Sequence, residues 1–73
     1  MNAKKATSMR LIVNGNALET RAQTLSELFA ELGYEGNWYA TALNAEFVPS
    51  AEREAAVLSD GDRVEILTPR QGG

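Results

Sequence analysis

The sequence predicts a two-layer α+β domain in which one helix covers one face of a sheet of four to five strands. Three observations support this prediction: period-two apolar segments lie near both ends of the chain, one helical repeat lies between them, and turn dipeptides separate the segments. The predicted order is strand, strand, helix, strand, strand, strand. Because a single helix covers only one face of such a sheet, we expect the other face to meet water or a partner.

A hairpin begins the patterned part of the chain. MRLIV at 9–13 is apolar, and NALETR at 16–21 is the predicted returning strand. Asn14-Gly15 lies between them, and this dipeptide is typical of a tight hairpin turn because both residues tolerate a positive φ.

One amphipathic helix is predicted over 24–33, TLSELFAELG. Thr24 and Glu27 have the spacing of a capping box, in which the hydroxyl and the carboxylate each accept a free backbone N–H. Gly33 is placed to end the helix in the left-handed region. Four residues recur at helical spacing and form the apolar face expected to pack on the sheet: Leu25, Leu28, Phe29 and Leu32.

Three further strands complete the predicted sheet. After a loop at 34–38, strands are predicted at 39–44 and 47–49, joined by a turn at 44–46. A short helical turn near 50–54 and a turn at Asp60-Gly61 precede the last strand, RVEIL at 63–67, which Pro69 stops. Three aromatic residues are expected to border the core or line a loop rather than to stack on a ligand: Tyr34, Trp38 and Tyr39.

Alternation along the strands assigns side chains to the two faces of the sheet. The larger apolar sets are expected under the helix, together with Val48 and Leu58: Met9, Leu11, Val13, Tyr39, Thr41, Leu43, Val64 and Ile66. The open face then carries a predicted partner-binding patch: Ile12, Ala40, Ala42 and Leu67, beside Glu65. A clustered apolar patch is typical of a docking site, whereas scattered apolar surface residues are ordinary, and both interpretations remain open.

Composition excludes several classes of function. The chain of 73 residues fits one domain and contains no Cys and no His, which excludes a disulfide framework, a zinc site, a thiol nucleophile and a histidine base. The net charge is −3, and an acidic domain does not attract phosphate backbones, so no nucleic-acid partner is expected. The acidic residues are too dispersed to predict a metal site. No apolar run approaches the ~18 residues of a membrane span, and we expect a soluble, cytoplasmic protein.

The two ends of the chain are expected to differ from the domain at 9–67. Residues 1–8 contain Lys4 and Lys5 and are predicted to form a disordered arm, because the regular pattern starts only at Met9. The last six residues, TPRQGG at 68–73, are predicted to form a flexible tail.

The tail raises a chemical question, since glycines after a final strand contribute no packing. Arg70 and Gln71 lead to Gly72 and Gly73, which lack side chains and fit a channel too narrow for a Cβ. The carboxylate of Gly73 is ionised at neutral pH and can attack the α-phosphate of ATP to form an acyl-adenylate. No catalytic residue for that step is recognisable in the sequence, so we expect a protein that is acted upon rather than an enzyme.

The chain resembles the bacterial sulfur carriers of thiamine thiazole biosynthesis, a family with the ubiquitin-like β-grasp fold. The resemblance runs from Met9 to Gly73 and rests on TLSELFAELG, ATALNAEFVP, LSDGDRVEIL and the closing QGG. Two departures are small: the usual NGE turn is Asn44-Ala45-Glu46, and Ser50 replaces a basic residue that commonly follows the proline.

This resemblance implies a mixed sheet and a role for the tail. An E1-like adenylating enzyme would use ATP and Mg²⁺ to activate the Gly73 carboxylate, a sulfur-relay donor would convert it to a thiocarboxylate, and thiazole synthase would accept the sulfur. Gly72 and Gly73 would form the modified site, the chain would bind no cofactor itself, and it would be monomeric alone. Because the chain has no Cys, it cannot hold sulfur as a persulfide.

Three alternatives remain open at this point. The small subunit of molybdopterin synthase has the same fold and also carries a C-terminal thiocarboxylate. A ubiquitin-like protein modifier would also end in two glycines, although Lys4 and Lys5 are the only lysines and both lie in the arm. In the third alternative, the domain is an interaction module whose glycines have no role.

Overall fold

A computed structural model describes residues 8–36 and 38–68. The predicted arm and the tail residues Arg70, Gln71, Gly72 and Gly73 therefore lie outside the described residues, apart from Ser8 and Thr68 at their edges. The elements in chain order are β1 (Met9–Val13), β2 (Asn16–Thr20), α1 (Leu25–Glu31), β3 (Ala40–Leu43), β4 (Glu46–Val48), a 3₁₀ helix (Ser50–Ala55) and β5 (Arg63–Leu67).

The strands form one mixed five-stranded sheet in the order β2-β1-β5-β3-β4. β1 and β5 pair in parallel, whereas the other three pairs are antiparallel. The last strand in the chain therefore lies at the centre of the sheet, between the first strand and the third. The predicted α+β class, with one main helix on one face of the sheet, is confirmed.

Both hairpins use two-residue turns with positive φ. Asn14 and Gly15 have φ of 51° and 85°, as the dipeptide predicts. The second hairpin pairs Leu43 with Glu46, so its turn contains only Asn44 and Ala45, at φ of 52° and 73°. The sequence predicted a turn over 44–46, and this one-residue error moves the start of β4 from Phe47 to Glu46.

We predict that Ala45→Gly stabilises the domain. A left-handed backbone costs an L-residue about 1–2 kcal/mol, and glycine removes most of this cost. The expected gain is roughly 1 kcal/mol in the free energy of unfolding, measured by urea denaturation. Ala17→Gly is the control, because it places glycine in an exposed position of β2 and should lose roughly 0.5–1 kcal/mol. Equal losses in both variants would contradict the strain at Ala45.

Helix α1 begins as predicted but is shorter. The Thr24 hydroxyl accepts the N–H of Glu27 at 3.1 Å, as in a capping box. The carboxylate of Glu27, however, accepts the N–H of Gln23 at 2.8 Å, one residue before the predicted donor. Backbone bonds also join the segments that flank the helix start, from Leu25 N–H to the Ala56 carbonyl and from Leu58 N–H to the Gln23 carbonyl, each 2.9 Å.

The end of the helix leaves one predicted core residue outside. Gly33 has φ of 89°, and its N–H donates to the Ala30 carbonyl, while the N–H of Tyr34 donates to the Phe29 carbonyl. This pair of bonds is the Schellman motif, and the stacked Phe29 and Tyr34 rings supply its apolar contact. Leu32 is the cap residue and is 36% exposed, so its predicted place on the buried face is wrong.

The core lies between α1 and the predicted face of the sheet. It contains Leu11, Val13, Ala22, Leu25, Leu28, Phe29, Leu58, Val64 and Ile66. Met9, Tyr39 and Leu43 are half-buried against it, as period-two alternation predicts, and so are Val48 and Tyr34. Tyr34 and Tyr39 therefore border the core, as expected, whereas Trp38 is 56% exposed.

The Asp60-Gly61-Asp62 segment builds a turn. Asp60 accepts the N–H of Arg10 at 2.8 Å, and the Gly61 N–H donates to the Arg10 carbonyl at 2.7 Å. Asp62 accepts the N–H of Ser59 at 2.8 Å and the side-chain amide of Asn44 at 3.0 Å. These carboxylates thus act as backbone caps, and within 8–36 and 38–68 no group of Asp and Glu is placed to hold a metal ion.

Candidate functional site

Four of the five predicted patch residues form one block on the open face. Ala40 pairs with Leu67 and Ala42 pairs with Glu65 across β3 and β5. The alternate residues of β5 are buried under the helix, while Leu67 is 59% exposed. The two alanines leave low relief beside the Leu67 side chain, so the surface is shallow and apolar with a carboxylate next to it.

The fifth predicted residue, Ile12, lies elsewhere on the same face. It pairs with Arg63, at the opposite end of β5 from Leu67. Four residues along a strand span roughly 13 Å, and Arg63 and Glu65 occupy the open face between them. The structure therefore does not bring Ile12 together with Leu67, because β1 runs parallel to β5 and meets only its beginning.

Phe47 joins this block, although the sequence analysis did not single it out. It pairs with Ala42 and is 69% exposed. A two-residue turn at Asn44-Ala45 pairs Ala42 with Phe47 on one face. Recognition of this turn in the sequence would therefore have predicted that Phe47 belongs to the block. We define the sheet-face patch by the residues that share this block: Ala40, Ala42, Phe47, Glu65 and Leu67.

Charged residues occupy the open face beyond the sheet-face patch, toward the start of β1 and β5. Arg10 and Glu19 pair across β1 and β2 on the open face, and Arg63 continues this strip on β5. Of these residues only Arg63 adjoins the patch, next to Glu65 on β5, and a polar margin of this kind is usual in protein interfaces. The open face thus has its apolar block on β3, β4 and the end of β5, whereas Ile12 on β1 lies among charged residues.

The sheet-face patch adjoins the point at which the tail leaves the domain. Leu67 ends β5 and Thr68 is the last described residue. Five residues, 69–73, follow in the sequence and reach at most roughly 17 Å when extended. An enzyme acting on the end of this tail must therefore approach close to Leu67.

A buried arginine fixes the strand that carries two of the patch residues. Arg53, in the 3₁₀ helix, is 5% exposed. Its guanidinium donates to the Thr41 hydroxyl at 3.0 Å and to the Tyr39 carbonyl at 2.8 Å, and it lies 4.3 Å from the Phe29 ring centre. Burial lowers the pKa of Arg53 from its ordinary value. Sequence reasoning missed this role because SAEREA has the composition of a solvated segment.

The described part of the chain also contains no helix that is long and apolar enough to cross a membrane.

Comparison with known protein families gives one match that spans nearly the whole chain. A sequence model of the family described as the ThiS family matches residues 7–73. The matched range includes every described residue and both terminal glycines.

Two relatives with established names are also similar to this chain. A sulfur carrier protein ThiS of Thermus thermophilus is 36% identical over 61 residues, which cover 84% of this chain and 95% of that protein. A thiazole synthase of Paramagnetospirillum magneticum is 33% identical over 66 residues, 89% of this chain. This chain spans only 20% of the length of that thiazole synthase.

Solved structures give the same result. The crystal structure of a thiamine biosynthesis protein (ThiS) from Geobacter metallireducens has a TM-score of 0.76 and 29% identity to this chain. The similarity covers 89% of this chain and 100% of that one. A solution structure of a thiamine biosynthesis protein from the same organism has a TM-score of 0.74, also at 29% identity.

Proposed function

The chain belongs to the ThiS family, the sulfur carriers of thiamine biosynthesis with the β-grasp fold, and we propose that it carries sulfur as a thiocarboxylate on Gly73. The observation that carries this proposal is the family match over 7–73, which includes the Gly72-Gly73 pair. The sequence supplies no Cys on which a persulfide could form, so the terminal carboxyl group is the proposed position of the sulfur.

The proposed chemistry needs two steps on one carboxyl group. A carboxylate oxygen of Gly73 attacks the α-phosphorus of ATP, pyrophosphate leaves, and a mixed anhydride with AMP forms. A reduced sulfur nucleophile, at the oxidation level of hydrosulfide, then attacks the carbonyl carbon, and AMP leaves with the bonding electron pair. The product is a thiocarboxylate in which sulfur has replaced one oxygen.

We propose that other proteins perform these steps. An E1-like adenylating enzyme would bind ATP and Mg²⁺, a sulfur-relay donor would supply the sulfur, and a thiazole synthase would accept it. This chain would contribute the tail and the sheet-face patch and would bind no cofactor itself. The similarity of this chain to part of a thiazole synthase supports the last of these partners.

The intact mass of the full chain tests the proposal. The protein is incubated with ATP, Mg²⁺, the adenylating enzyme and a sulfur donor, and its mass should rise by the difference between one sulfur and one oxygen atom. Omission of ATP should abolish the gain. An unchanged mass would contradict the carrier role, and an isopeptide adduct to another protein in place of the gain would favour a protein modifier.

We predict that Leu67→Asp weakens binding to the adenylating enzyme by about tenfold or more. A carboxylate in the sheet-face patch must be desolvated on docking without a partner, a cost typical of interface hot spots. Because Leu67 is 59% exposed, the melting temperature should change little. Affinity is measured by titration calorimetry.

Val57→Asp is the matched control for this prediction. Val57 is 68% exposed and lies beside Thr24 at the start of the helix, away from the open face. The affinity of the Val57→Asp variant for the adenylating enzyme should stay within about twofold of the affinity of the chain without substitutions, a difference of roughly 0.4 kcal/mol. Equal affinities for the Leu67→Asp variant and the chain without substitutions would show that the sheet-face patch does not contact the adenylating enzyme.

A further inference from the structure

Trp38 is an exposed aromatic residue that lies outside both the tail and the sheet-face patch. It is the single tryptophan of the chain and is 56% exposed. Tryptophan is among the residues most enriched at the energetic centres of protein interfaces. An indole of this exposure on a small acidic domain therefore calls for a physical explanation.

The surrounding residues hold the indole in a defined position. Gly36 has φ of 85°, and a Cβ at that position would lie 3.1 Å from Cδ1 and 3.3 Å from Nε1 of Trp38. The Trp38 and Tyr39 ring centres are 5.4 Å apart. The Tyr39 ring in turn contacts Phe29 and Tyr34, and its carbonyl accepts a hydrogen bond from Arg53. One side of the indole is thus seated on the domain and the other side faces outward.

Trp38 lies at the end of the sheet from which the tail departs. Ala40 pairs with Leu67 in antiparallel register, so the residues before Ala40 lie at the same end as Thr68. The five residues after Thr68 reach at most roughly 17 Å. An enzyme that holds the chain end in its active site must therefore bring its surface against this end of the sheet.

We propose that Trp38 is an anchor residue for docking of the sulfur-accepting enzyme, a thiazole synthase, whose surface covers the indole when the tail enters the active site. This inference rests on the proposed function. The choice of partner follows from the thiazole synthase that contains a segment similar to this chain. Because the indole is already seated, docking costs little side-chain entropy, which favours it as an anchor.

Fluorine NMR reports on the indole directly. The full chain is labelled with 5-fluorotryptophan, which gives one resonance because the chain has one tryptophan. Addition of unlabelled thiazole synthase should shift or broaden this resonance in proportion to the bound fraction. A resonance that stays unchanged while calorimetry shows complex formation would overturn the proposal.

Substitutions measure the contribution of the indole to affinity. Trp38→Ala should weaken binding to thiazole synthase by about tenfold or more, and Trp38→Phe should restore part of the loss. Val57→Ala is the control, because Val57 is also an exposed apolar residue, at 68%, but lines a groove with Met9 at the opposite end of the sheet from Leu67. Its affinity should stay within about twofold.

The outcomes separate this inference from the proposed function. Suppose that the chain without substitutions gains sulfur and binds thiazole synthase, and that Trp38→Ala binds equally well. The inference about Trp38 then fails, and the carrier function stands. If the unmodified chain gains no sulfur, the carrier function fails. If it binds no thiazole synthase, the proposal for Trp38 is overturned as well.

Discussion

Deletion of Gly73 is expected to abolish ATP-dependent adenylation while leaving the domain folded. The deletion withdraws the carboxylate by one residue, roughly 3.5 Å for an extended chain. A nucleophile displaced by even about 1 Å can lose a factor of about 10² in rate, so the shortened tail should not reach the α-phosphorus. The measurement is pyrophosphate release in the presence of the adenylating enzyme.

Removal of residues 1–7 is the matched control, since these residues precede β1 and lie far along the chain from Gly73. This variant should release pyrophosphate at the unmodified rate. Both variants should keep the melting temperature, because neither change touches a core residue. A chain without Gly73 that is still adenylated would show that another group is the nucleophile.

Leu28→Ala is expected to cost about 2–5 kcal/mol of unfolding free energy, as core truncations of leucine do. Leu28 is 0% exposed and belongs to the cluster in which Phe29 and Val64 are also buried. A loss of this size is comparable with the whole stability of a domain of about 70 residues, at roughly 0.05–0.15 kcal/mol per residue. Urea denaturation followed by circular dichroism should show a much lower midpoint, or an unfolded variant.

Leu32→Ala makes the same chemical change at the cap of the same helix. Leu32 is 36% exposed, so its truncation creates no enclosed cavity. The expected loss of unfolding free energy therefore stays below about 1 kcal/mol. The pair therefore separates the buried face of α1 from its end. Equal losses at the two positions would show that the helix packs with a different face.

Local patterns predicted most of the fold because they are set by neighbouring residues. The Asn14-Gly15 turn, the Thr24 cap and the Gly33 helix end depend on contacts within a few residues, and each is found. Leu32 was misplaced because the helical repeat does not show where the last turn ends. The position of β5 between β1 and β3 depends on contacts that are distant in sequence, and no local pattern fixes it.

The candidate site was predicted in part for the same reason. Alternation placed Ala42 and Leu67 on the open face, but the distance of Ile12 from Leu67 depends on strand order and register. Phe47 was missed because the turn was assigned one residue too long. Arg53 was missed because its burial depends on hydrogen bonds to the Thr41 hydroxyl and the Tyr39 carbonyl. The alternation of apolar residues gives no information on these bonds. The assignment of Gly73 stays a proposal that rests on the family match.

The position of the sulfur within the chain is the most direct test of the carrier account. The full chain is treated with ATP, the adenylating enzyme and a sulfur donor, and then fragmented in a tandem mass spectrometer. Every fragment that contains Gly73 should carry the sulfur-for-oxygen mass increase, and every fragment that lacks Gly73 should have its unmodified mass. A mass increase on any fragment that lacks Gly73 would contradict the account.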